Sequence, residues 1–185
     1  MSEYNCLKKN IFEDDDFKIL PIRSDDKFEI MKWRNEQVYH LRQNHIITKE
    51  EQILYFEKVI SKEFKKLEPE LLLFSFLKKN ICVGYGGLVH IDWENKNAEL
   101  SFLMNTELEE DYFEKFWTCF ISLISIVSFD ELDFNKIFIY SFDLRPNLYN
   151  AIEKNGFLLE AKLVSHAFKN NRFVDVKIHS KFKPK

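Results

Sequence analysis

An α+β domain is the architecture this 185-residue chain predicts, and three features carry the expectation. Short runs rich in Phe, Leu, Ile and Val lie between polar turns, as strands do. Two stretches after acidic or threonine caps place apolar residues at helical spacing. A long apolar stretch, Leu108 to Leu132, keeps a helical period throughout. Together they give the order β-α-α-β-β-β-α-β-α-β-β within one domain spanning residues 1–185, the size that a single core supports.

Each element has a local cause. After a polar leader, Phe17–Ile22 (FKILPI) reads as a short strand, and Pro21 places it at an edge or near a strand end. Asp25 and Asp26 then precede a helix whose apolar face is Phe28, Ile30, Met31 and Trp33. Thr48 and Glu51 have the spacing of a capping box, opening a second helix with Ile53, Leu54, Phe56, Val59 and Ile60 as its stripe. LLLFSFLKK and ICVGYGGLVHID follow as a hairpin turning at Lys79 and Asn80, and Ala98–Met104 (AELSFLM) continues the sheet. The run FWTCFISLISIVSF is too short for a bilayer and reads as a buried helix. IFIYSF is a strand, and Pro146–Lys154 is a short helix with proline in its first turn. The tail supplies two strands around the Asn170–Asn171 turn.

Composition excludes some functions. A net charge of −3 offers no basic field for phosphate backbones, so no nucleic-acid partner is expected. Cys6, Cys82 and Cys119 are odd in number and widely spaced, which indicates neither a disulfide framework nor a zinc site. No signal-peptide pattern opens the chain, so a cytoplasmic protein without a membrane partner is expected. The nineteen Phe and seven Tyr suit a large aromatic core and permit a homodimer.

Three strings, ILPIRSDDKFEIMKWRNEQ, ICVGYGGLVHID with NAELSFLM, and DFNKIFIYSFDLRPNLYNAIEKNGFLLEAKLVSHAFKNNRFVDV, stand in this order over Phe17 to Phe182. Their order and spacing resemble the GNAT superfamily of acyl-CoA N-acyltransferases, in particular its ribosomal-protein N-terminal and amino-sugar acetyltransferases. The resemblance implies a mixed central sheet of about seven strands flanked by about four helices. It also implies acetyl-CoA as co-substrate, a small-molecule amine as acceptor and no metal. In such proteins the strand matching Ala98–Met104 parts from the one matching Lys136–Phe142. Unpaired amides of the parted strand then bind the pantetheine arm and the thioester oxygen, here implicating Phe102, Leu103 and Met104.

Acyl transfer to an amine needs a neutral amine, donors for the oxyanion and a proton route. The resemblance makes Glu99 the leading candidate for the base, because a general-base glutamate acting directly or through water often lies on the matching strand. Strand alternation puts it with Asn97, Ser101 and Leu103, on the more polar face. His90 is the second candidate, because imidazoles exchange protons near neutral pH. Its parity matches Gly84 and Gly86, which aims it at the face the glycines open. Tyr149 is the candidate general acid for the leaving thiolate, although it lies about one turn before the position the resemblance assigns, which Ile152 occupies.

Gly84, Gly86 and Gly87 are three of only four glycines, all within one strand. Glycine inside a strand marks close approach or a bulge, so these positions either leave room for the acceptor, with Gly86 in contact, or let the long helix pack closely. On the acceptor side the resemblance implicates Trp33, Arg34, Asn35, Tyr39 and Arg42. One departure is plain. Where the superfamily carries a glycine-rich phosphate loop, this chain has TELEEDYFEKFW, with Phe113 and Lys115 in the glycine positions and acids around them. The resemblance implies cofactor contacts from Phe113, Glu114, Lys115 and Asn147. The acceptor it implies is an amino sugar or nucleotide-linked amino sugar of surface-polysaccharide synthesis, alternatively a protein N-terminus. The missing glycine loop also leaves open a binding module that has lost catalysis.

Overall fold

The computed structural model describes residues 2–184, so the terminal residues of the predicted 1–185 domain lie outside it. Strands β1 (Phe12–Asp14) and β2 (Phe17–Pro21) form a hairpin. Helix α1 (Lys27–Glu36) follows, then α2 (Lys49–Tyr55), which runs through a wide π-helical turn, Phe56–Ile60, into the short α3 (Ser61–Glu63). Next come β3 (Leu72–Lys78), β4 (Ile81–Asp92) and β5 (Asn97–Met104). Helix α4 (Glu109–Ser125) precedes β6 (Lys136–Phe142), α5 (Pro146–Glu153), β7 (Leu158–Lys169) and β8 (Arg172–Phe182).

Local signals place several boundaries. Thr48 accepts from the Glu51 amide while Glu51 accepts from the Thr48 amide, closing the expected capping box. Lys79 and Asn80 have φ of +48° and +70°, the paired left-handed residues that a tight β3–β4 hairpin requires. Asn170 and Asn171 repeat the device between β7 and β8.

The eight strands form one mixed sheet in the order β1-β2-β3-β4-β5-β6-β8-β7, with β5 and β6 parallel and every other neighbouring pair antiparallel. Alternation splits β3 and β5 between two cores. Phe74, Phe76, Leu100 and Phe102 face α4, where they meet Phe116, Phe120 and Ile124. Leu73 and Leu103 face α1 and α2, where they meet Ile30, Trp33 and Phe56. The 26-residue run Thr106–Glu131 has the length and hydropathy of a membrane span, but half of its apolar window is buried inside the fold.

The sheet has one strand more than the seven expected. The leader read as polar contains the extra strand, which buries Phe12 beside Ile19 of β2 and leaves Glu13 and Asp14 exposed. Tyr4 anchors the same segment: it is 1% exposed, and its hydroxyl donates to the Leu73 carbonyl and accepts from the Leu73 amide, each at 2.8 Å.

Candidate active site

Pairing between β5 and β6 covers Asn97↔Lys136, Ala98↔Ile137 and Glu99↔Phe138 and then stops, although both strands continue. From Leu100 onward they part. The Asn105 amide bonds the Val83 carbonyl at 2.9 Å, so alternation turns the amides of odd-numbered residues toward β4 and those of Phe102 and Met104 toward the gap. Here Gln37, 1% exposed, spends its side-chain amide on the Met104 carbonyl at 2.9 Å, which fixes that end of the edge. A cavity of about 280 Å³ fills the opening, lined by Glu99, Ser101, Phe102, Trp117, Ile139 and Tyr140 among others. Bare main-chain donors in a cavity with both apolar and polar walls suit an amide-bearing alkyl arm, whose polar groups need hydrogen-bond partners along its length.

At the closed end of the gap sits Glu99, 5% exposed. Burial pushes its carboxyl above the usual glutamate range, and the Arg42 guanidinium opposes that shift. Arg42 pairs directly with Glu99 Oε1 and lies over the Tyr140 ring at 4.8 Å, so one side chain bridges the two parted strands. His90 Nε2 is 3.8 Å from Glu99 Oε2. Its route there differs from the parity expectation: β4 loses register after Val89, and His90 adopts φ +49°, which turns the imidazole away from the glycine face toward the carboxylate. A proton can pass from this cavity to Glu99, with the cation holding the carboxylate ready and burial raising its proton affinity.

The other end of the gap opens between the starts of α4 and α5. Arg145 donates to Glu109 Oε1 at 2.6 Å, lies over Phe113 at 5.0 Å and reaches His40 Nε2 at 3.1 Å. Burial and then the Arg145 charge push His40 down to about 3, so the imidazole is neutral. Phe113, Glu114, Lys115 and Asn147 line one shallow depression of about 560 Å³ between these helices. Glu114 is bound there by Lys154 at 2.6 Å. The first turn of α4 has no side-chain cap and carries Glu109, Glu110 and Asp111, which suit its dipole. For a diphosphate the nearby cations are Arg145 and Lys115.

Several predicted site residues are placed elsewhere. Trp33 is 1% exposed and packs with Ile30, Phe56 and Leu103, so it is core. Asn35 clamps the loop after α1, bonding the Ile47 amide and carbonyl, both at 2.9 Å. Tyr39 stands exposed against the His40 ring. Of the three residues implicated through their amides, Leu103 turns its amide to β4, so Phe102 and Met104 alone face the gap, and the Leu103 and Met104 side chains are buried in opposite cores. Gly86 faces α4 rather than an acceptor: a Cβ there would meet the Ser101 carbonyl oxygen at 2.2 Å and the Phe120 ring at 2.9 Å. The glycines therefore serve close packing. Tyr149 points away from the gap, donating to Asp143 Oδ1 at 2.9 Å and stacking on His179, and burial with that carboxylate holds its proton firmly.

Arg34 is the predicted acceptor-side residue that does reach the cavity, together with Arg42. Gln37, Tyr85, Gln43 and Tyr140 also shape the site without having been singled out. Tyr85 and Tyr140 carried a signal, a polar-tipped aromatic within an otherwise apolar strand, but only pairing shows which face each takes.

A mixed sheet parted at its one parallel pair, with free amides on one lip and a buried carboxylate at the closed end, defines an N-acyltransferase fold. The model of the acetyltransferase (GNAT) domain matches residues 19–178, and the chain belongs to that family as an acyl-CoA-dependent N-acyltransferase. Among solved structures, spermidine N-acetyltransferase from Vibrio cholerae in complex with CoA and spermine is similar at 18% identity and a TM-score of 0.78, covering 92% of this chain and 97% of its own. The ribosomal L7/L12 α-N-protein acetyltransferase RimL in complex with CoA is similar at 11% identity and a TM-score of 0.77, covering 94% and 98%. A dodecameric form of the Vibrio cholerae enzyme gives 19% identity and a TM-score of 0.74, covering 92% and 95%. No curated protein sequence matches the chain.

Proposed function

We propose that the protein transfers an acetyl group from acetyl-CoA to a primary amine of a small molecule. The single observation that carries this reading is the parted β5–β6 pair, because it explains why free amides, a cavity and Glu99 converge. The pantetheine arm would lie along β5, its amide groups and thioester oxygen bonded by the Phe102 and Met104 amides. Fixed donors aimed at the carbonyl oxygen stabilise the charge that develops there as the amine attacks. The amine approaches from the Ser101 side, and Glu99 takes its proton, with Arg42 orienting the carboxylate. The carbon–nitrogen bond forms as the carbon–sulfur bond breaks, and the thiolate leaves along the gap. CoA in the similar complexes supports the cofactor.

The acceptor is a small amine in this reading because the acceptor side is a recess of about 380 Å³ among α1, α2 and β3–β5. The similar structures act on spermidine and on a ribosomal protein, and none of them speaks for the amino sugar that the sequence resemblance implies. Calorimetry with acetyl-CoA tests the reading directly. Saturable binding is expected, and no heat at millimolar cofactor would reject it.

A further inference from the structure

This inference rests on the acetyl-transfer reading and deepens it. We propose that the acceptor is an anionic amine whose carboxylate or phosphate docks on Arg34. A second cavity, of about 380 Å³, abuts the strand-gap cavity, and both are lined by Arg34 and Ser101. Its walls are largely apolar, including Ile22, Ile30, Ile47, Tyr55 and Phe56. Arg34 stands at the junction, half-buried, with only neutral partners: Nη1 donates to the Tyr85 hydroxyl at 2.8 Å and Nε to Gln43 Oε1 at 3.1 Å.

Among the described residues, Arg34 forms no ion pair, and its Nη2 meets no acceptor. Apart from Arg172, which is exposed at the β7–β8 turn, the other described arginines are paired. Arg23, Arg42 and Arg145 are each matched to a carboxylate, namely Asp26, Glu99 and Glu109. A half-buried guanidinium whose open edge faces a cavity without a counter-charge is free to receive an anion, and its planar fork suits two oxygens of a carboxylate or phosphate. Gln43 and Tyr85 hold the fork in place, Gln43 itself being bonded to Asn35 Oδ1 at 3.0 Å. The apolar walls take the body of the acceptor, and Ser101 marks the passage through which its amine reaches Glu99. A polyamine has no anion to offer Arg34, and the two carboxylates that line the cavities, Glu51 and Glu99, already pair with His45 and Arg42, so spermidine is expected to be a poor substrate.

Thiol release is measured with matched pairs: phenylalanine against phenylalaninamide, glucosamine 6-phosphate against glucosamine, and spermidine alone. Thermal shifts with the same compounds and with inorganic phosphate are recorded without cofactor, beside acetyl-CoA calorimetry. In at least one pair the anionic member should exceed its neutral twin about 10-fold in kcat/KM, the scale of one charged hydrogen-bonded contact. The pair that responds tells carboxylate from phosphate. Arg34→Gln should bring the ratio to about 1 and abolish the thermal shift, whereas Arg34→Lys should keep part of both. Neutral twins or spermidine performing as well as the anions, a ratio that survives in Arg34→Gln, or no Arg34-dependent shift with any anion would overturn the inference. Absent cofactor binding would reject the transfer reaction instead, and the thermal shifts would still decide the anion site.

Discussion

Gly86→Ala separates the two uses of the glycine-rich strand. The added Cβ would lie 2.2 Å from the Ser101 carbonyl oxygen, 2.8 Å from Phe102 Cα and 2.9 Å from the Phe120 ring. Two of these three atoms are main chain of β5, so no rotamer change relieves them, and β4 and β5 must move apart or α4 must lift. Overpacking a close-packed core costs about 1–3 kcal/mol, and a clash with backbone belongs at the upper end, about 3 kcal/mol. For a domain of this size each kcal/mol lowers Tm by about 2–4 °C, so Gly86→Ala should lose about 6–12 °C. Because β5 carries the Phe102 and Met104 amides, its displacement should also weaken acetyl-CoA binding. Differential scanning calorimetry and cofactor titration read the two effects. A variant that keeps its Tm within about 2 °C and only raises the acceptor KM would refute the packing argument and return Gly86 to the acceptor site.

The remaining predictions concern the proton route. Glu99→Gln should lower kcat/KM about 10²-fold, as expected for loss of a general base, with acetyl-CoA affinity unchanged in calorimetry. A loss under about 3-fold would remove Glu99 from that role. Burial raises the Glu99 pKa, and the base works only when deprotonated, so the acidic limb of kcat/KM should lie above the ordinary glutamate value. Arg42 lowers that pKa, so Arg42→Met should move the limb to higher pH; a limb that stays put would contradict the pairing. Tyr149→Phe should cost about 1 kcal/mol through its bond to Asp143 and leave kcat within about 2-fold, since the hydroxyl faces away from the gap. A large fall in kcat with an unchanged Tm would restore Tyr149 as a proton donor.

Local chemistry was legible in the chain itself. The Lys79–Asn80 turn, the Thr48–Glu51 box, Pro146 in the first turn of α5 and the alternation of Ala98–Met104 each follow from residues within a few positions of one another. The order of elements comes from the same short-range patterns, whereas the candidacy of Glu99 comes from the family resemblance, alternation adding only that it shares the more polar face of its strand. What the sequence could not decide was every choice between two faces. Trp33 and Arg34 are adjacent, yet one is core and the other reaches the cavity; His90 follows strand parity on paper but a left-handed φ turns it to Glu99. Pairing over long separations settles the site: Arg42 meets Glu99 across 57 positions, and β5 separates from β6 after three paired residues while β5 stays bonded to β4 and β6 to β8. Periodicity reports which residues share a side of one element. Only packed elements determine what that side confronts, and a cavity exists only where two of them fail to close.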